Sequence, residues 1–76
     1  MPATATEAKP WEQLASESGS AYTAFLAYRD MGPRRTFVGA ARLVGRSESL
    51  LRRWAGRHNW RERVWLWDLQ QARQDE

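Results

Sequence analysis

The stretch TFVGAARLVGRSESLLRRWAGR, residues 36–57, reads as two short helices separated by a sharp turn. Thr36 is a residue type that caps a helix N-terminus through its side-chain oxygen. Phe37, Ala40, Ala41 and Val44 then follow at the spacing of one inward helical face. Gly45 ends this helix after barely two turns, because a left-handed residue closes the last carbonyls and glycine adopts that conformation without a Cβ clash. Ser47 opens the next helix, with Leu50, Leu51 and Trp54 gathered on one side. At about 100° per residue, Ser49, Arg52, Arg53 and Gly56 fall on the other side. The tryptophan anchors this helix and the arginines are presented by it. Ala41 is small where two helices would cross closely, and Leu51 and Trp54, three apart, pack back. The pattern predicts a helix-turn-helix over about residues 37–57, a unit whose second helix enters the DNA major groove.

On the N-terminal side, Ser18 in ESGSAYTAF is an N-cap candidate. Ala21, Phe25 and Tyr28 form an amphipathic stripe that Ala24 and Met31 widen. Gly32 followed by Pro33 stops that helix. Residues 1–10 are rich in Ala, Thr and Pro without periodicity and read as a disordered lead-in, with Pro10 and Trp11 beginning order as the tryptophan docks on the core. The domain proper then spans residues 11–76.

On the C-terminal side, Asn59 and Glu62 have capping-box spacing, so a further helix is expected over about residues 60–74. Trp60, Val64 and Trp67 form one stripe, while Trp65, Leu69 and Ala72 form a second one roughly opposite, with Leu66 beside it. Two apolar faces need two covering surfaces. One packs on the helix pair. The other folds back on the Pro10–Trp11 segment or meets a second subunit, and self-association through Trp65, Leu69 and Ala72 is the expectation. No period-two run supports a strand, so the fold class is all-α.

Composition narrows the chemistry. A chain of 76 residues holds one small domain, with a core that is marginal at this size. It contains no cysteine, which removes disulfides and thiolate metal sites, and its single histidine, His58, cannot build a zinc site alone. His58 reads as a surface linker residue. No nucleophile, base or carboxylate dyad accompanies it, and GRSESL lacks the glycines and lysine of a phosphate loop. No enzyme and no cofactor are expected. No apolar run reaches membrane-spanning length, and MPATATEAKP lacks the basic start and apolar centre of a signal peptide. The expected location is the cytoplasm.

The net charge of +3 is unevenly spread. Between residues 34 and 63, nine arginines stand against two acids, Glu48 and Glu62, leaving +7. Lys9 is the only lysine. Arginine's planar fork suits phosphates and guanine edges better than lysine's point charge does. Duplex DNA is therefore the expected partner. Arg52 and Arg53 are placed for base edges, guanine O6 and N7 in particular, and Ser49 for a base or a phosphate. Glu48 is placed to accept from cytosine N4 or to balance the helix dipole. Arg46 and Arg57 are placed for the phosphate backbone, and Arg34 and Arg35 for a phosphate at the preceding helix N-terminus. A reading of another class treats the Trp-rich last helix as a protein-docking module and the arginines as a solubilising face. RNA is disfavoured, because no sheet bearing exposed aromatics is present.

The order of these features resembles the N-terminal DNA-binding region of tailed-phage small terminase subunits. The resemblance rests on Pro10-Trp11-Glu12, Glu17-Ser18, Ala21-Tyr22, Phe25, YRDMGP at residues 28–33, LVGRS at residues 43–47, and the series Trp54, Trp60, Glu62, Arg63. It runs from residue 10 to about residue 69. It implies a homeodomain-like helix-turn-helix with a three-helix core plus a C-terminal helix, inside a bacterial host. It also implies recognition of the packaging start on viral DNA and delivery to a large terminase subunit that carries the ATPase and nuclease. DNA-facing residues by this likeness are Arg46, Ser47, Ser49, Arg52, Arg53 and Arg57. Small terminases commonly form rings through helices that follow this region, and the present sequence ends at QQARQDE, so it reads as an excised domain or as a short protein sharing the module. A phage or prophage transcriptional regulator uses the same reader. Gly39 departs from the pattern: inside a helix it costs about 1 kcal/mol relative to alanine.

Overall fold

A computed structural model describes residues 9–74 as an all-helical chain. Four α-helices follow one another: α1 (Gly19–Asp30), α2 (Phe37–Val44), α3 (Glu48–Arg57) and α4 (Trp60–Gln74), with a 3-10 turn at Gly32–Arg34 between the first two. No strand occurs among the described residues. No described helix is long and apolar enough to cross a membrane. Of the disordered lead-in expected over residues 1–10, residues 1–8 lie outside the described residues, while Lys9 and Pro10 lend their carbonyls to Glu12 N–H and Arg63 Nε.

The helix ends follow local chemistry. The hydroxyl oxygens of Ser18, Thr36 and Ser47 accept from the backbone N–H groups of Ala21, Gly39 and Leu50, giving α1, α2 and α3 each a side-chain cap. Gly45 sits at φ 70°, and its N–H and that of Arg46 both close on the Ala41 carbonyl, which turns the chain within three residues. Gly32 is likewise left-handed, and Pro33 begins the 3-10 turn.

The start of α4 differs from expectation. Asn59 is itself left-handed, at φ 56°, whereas an N-cap residue is extended. It therefore closes α3 from the position asparagine tolerates best after glycine. It opens α4 only through its carbonyl, which accepts from Arg63 N–H at 3.3 Å, and no capping box with Glu62 forms. His58 also differs. It is buried, not a surface linker residue: it is the C-cap residue of α3 at the α3–α4 corner, and its carbonyl accepts from the Arg63 guanidinium.

Ala24, Phe25, Ala40, Ala41, Leu51, Trp60 and Val64 form the core. Trp60 is fully buried, with Phe25 and Tyr28 each 5.6 Å away between ring centroids. Aromatic pairs at these separations add stabilisation beyond the area they bury. Trp11 docks as expected, edge-on to Trp67 at 5.5 Å. Gly39 has a steric reason: a Cβ there would lie 2.7 Å from Met31 Cε and 2.9 Å from the Thr36 capping oxygen.

Candidate nucleic-acid interface

Leu51 is buried, and Leu50, Trp54 and Ala55 are partly buried, so one side of α3 is fixed to the core. The opposite side is in water: Ser49, Arg52, Arg53, Gly56 and Arg57 are all exposed, as are Arg46 and Ser47 in the preceding turn. Fixing and presentation have one cause, the 3.6-residue period that separates Leu51 and Trp54 from the arginines. The expected DNA-facing residues of α3 and its turn therefore share one surface. A Cβ added at Gly56 would meet open space.

The arginines do not share one state. Arg46, Arg53 and Arg57 form no ion pair among the described residues, nor do Arg34, Arg42 and Arg61, all of which are exposed. Arg52 is exposed but held: Nε donates to Glu48 Oε2 at 2.8 Å, and the guanidinium lies 4.8 Å from the Phe37 ring centroid. Glu48 therefore accepts from Arg52 in addition to sitting in the negative-favouring first turn of α3.

Arg35 departs from the phosphate role expected of it. Its Nη1 and Nη2 donate to the two carboxylate oxygens of Asp68, both at 2.8 Å, while Nε and Nη2 donate to the Tyr28 and Arg29 carbonyls. Only 10% of its side chain is exposed. The fork is consumed in bolting the α1–α2 connection to α4, which leaves Arg34 as the accessible cation of that pair.

Arg63 is the residue the sequence hides most completely. Counted among the basic centre, it is buried, and all five of its N–H donors are used. Nη1 and Nη2 each donate to Glu17 at 3.0 Å, and Nε donates to the Pro10 carbonyl at 2.6 Å. The remaining two reach the carbonyls of His58 and Glu12. The guanidinium lies 3.9 Å from the Phe25 ring centroid. Glu17 is satisfied in turn by the Leu14 amide and the Trp60 indole N–H. Burial pushes the Glu17 carboxyl upward. The hydrogen bonds and charge of Arg63, with the Leu14 and Trp60 bonds, outweigh that and hold it below its ordinary range. No buried side-chain polar atom among the described residues lacks a partner.

On α4, Trp65 is 60% exposed and Leu69 38%, with Ala72 also exposed. The Pro10–Trp11 segment meets Trp67 on the inner face and does not cover this stripe. Comparison with protein-family models, with curated proteins and with solved structures returned no match.

Proposed function

We propose that α2, the Gly45 turn and α3 form a homeodomain-like helix-turn-helix, and that the chain is a duplex DNA-binding domain recognising viral DNA for packaging, as small terminase subunits do. One observation carries the reading. The second helix of a tightly turned pair is pinned into the core by Leu51 and Trp54 while its opposite side offers Ser49, Arg52, Arg53 and Arg57, with Arg46 beside it. That is the arrangement a major-groove reader needs, with base-reaching side chains in the middle and phosphate-reaching cations at the ends. Arg34 adds a phosphate contact. The chain acts as a reader without catalysis, within the bacterial host cytoplasm, and hands DNA to a large terminase subunit.

Binding of fluorescent duplex DNA followed by anisotropy across a salt series tests this. Log K falls with log salt by about 0.9 for each phosphate neutralised, and Arg57→Ala lowers that slope. Loss of binding to every duplex at low salt would remove the reading. A transcriptional regulator is distinguished by a two-fold symmetric preferred site, a packaging protein by repeated or asymmetric sites.

The exposed stripe of α4 supports self-association. Trp65, Leu69 and Ala72 are flanked on one edge by Arg61 and on the other by Glu62 and Arg73, all exposed, so Arg61 of one copy can meet Glu62 of a second; Asp68 is held by Arg35. Sedimentation of the wild type against Trp65→Ser tests it. The same stripe favours the alternative of a protein-docking module, which predicts weak DNA affinity and partner loss on Trp65→Ala but not on Arg53→Ala.

A further inference from the structure

Resting on the DNA-binding reading, we infer that Arg52 is the guanine-reading residue of α3 and that Glu48 is its positioning residue, the remaining exposed arginines serving the backbone, Arg53 included in place of the base-edge role its position on the helix suggests. A guanidinium has two edges that can make paired hydrogen bonds: a side edge of Nε with Nη2, and an end edge of Nη1 with Nη2. Glu48 occupies the side edge of Arg52. Nε donates to Oε2 at 2.8 Å, and Nη2 lies 2.6 Å from the same oxygen. The end edge meets no acceptor among the described residues. Two adjacent donors on a flat end edge match guanine O6 and N7.

The fork is also held in orientation. Glu48 lies one helical turn before Arg52, so the pair is set by α3 itself. The guanidinium packs over Phe37, whose ring stacks on Tyr28 at 4.6 Å and 4° between planes. Phe37 and Tyr28 belong to the layer packed on the core, so Arg52 leans on rigid structure although 60% of its side chain remains exposed. A free arginine loses rotamer entropy when it reads a base, whereas a buttressed one has lost most of it already. Arg46, Arg53 and Arg57 have no such support among the described residues. A mobile cation suits a phosphate, which accepts from many directions. A fixed fork suits a base edge, which does not.

The roles separate in a selection from a pool of duplex DNA with a randomised core, run in parallel with wild type, Glu48→Gln, Arg52→Ala, Arg52→Lys and Arg53→Ala. Arg52 and Arg53 are exposed and Glu48 is half-buried, and thermal melting of each variant checks that it remains folded. The wild type is expected to enrich a guanine at one or more fixed positions. Arg52→Ala and Arg52→Lys lose that preference by on the order of ten- to a hundredfold, and Glu48→Gln blunts it at the same position while retention of the whole pool is kept. Arg53→Ala lowers retention of all sequences and keeps the guanine. Replacing that guanine by 7-deazaguanine weakens wild type and leaves Arg52→Ala unaffected. A guanine preference that survives Arg52→Ala overturns the assignment, and so does a wild type that retains duplexes without preference, in which case DNA binding itself stands. A wild type that retains no duplex at low salt brings down the DNA-binding reading, and this inference with it.

Discussion

Arg63 and Arg53 are ten positions apart in the same basic stretch, and they live in opposite worlds. Arg63 is 4% exposed, with five donors spent on one carboxylate and three carbonyls. Arg53 stands in water on the outer side of α3 without an ion pair among the described residues. One holds the domain together and the other is available to a partner. Local charge density does not separate them; the partner at the far end of the chain does.

The largest effect expected is at the buried pair. Arg63→Ala leaves the Glu17 carboxylate buried without its counter-charge, a loss of about 3 to 5 kcal/mol. A domain of this size has only about 4 to 11 kcal/mol of total stability, so chemical denaturation is expected to show it marginal or unfolded. A variant as stable as the wild type would mean that the pair contributes nothing.

Acid provides the next test. Glu17 has a lower pKa folded than unfolded, so its stabilisation is complete above the unfolded carboxylate value and is lost as pH falls through the folded one. Melting temperature is expected to drop between neutral pH and about pH 3, below the ordinary carboxylate range. Glu17→Gln starts from a lower melting temperature and shows a shallower fall. An equal fall in both would assign the acid sensitivity to other carboxylates.

Arg53→Ala should leave melting within about 0.5 kcal/mol of wild type, as surface substitutions do, while weakening DNA at low salt. A large loss of stability there would erase the distinction between the two arginines. Smallest of all is Gly39→Ala. Helix propensity alone predicts a gain of about 1 kcal/mol, but the new methyl meets Met31 Cε and the Thr36 capping oxygen. The melt is expected to show no gain, and a full gain would mean that Met31 moves aside freely.

What was legible in the sequence lay within a turn or two of itself. Ser18, Thr36, Ser47 and Gly45 mark helix ends because capping and left-handed closure involve neighbours three to five residues away. The two sides of α3 follow from its period alone. Glu48 and Arg52 were within reach of the same local reasoning, since their spacing of four is the helical ion-pair spacing. Arg35 and Arg63 were not. Their partners lie 33 and 46 residues away, and nothing in the local pattern distinguishes an arginine that will be buried from one that will be exposed. His58 misled for a related reason: a polar residue between two helices looks like a linker until the corner is packed. Asn59 misled because asparagine serves equally as an N-cap and as the left-handed residue that closes a helix, and spacing alone does not separate the two.

The brace at Arg63 also sets an order of events during synthesis. Residues 37–57 leave the ribosome with every local instruction for their two helices already present, yet Glu17 must wait for a guanidinium that arrives later. Until Arg63 emerges, burying Glu17 would strand a charge, so the segment from Lys9 to Glu17 has no settled place against the rest. The helix pair is complete in its local signals before the residue that locks it to the preceding segment has been made.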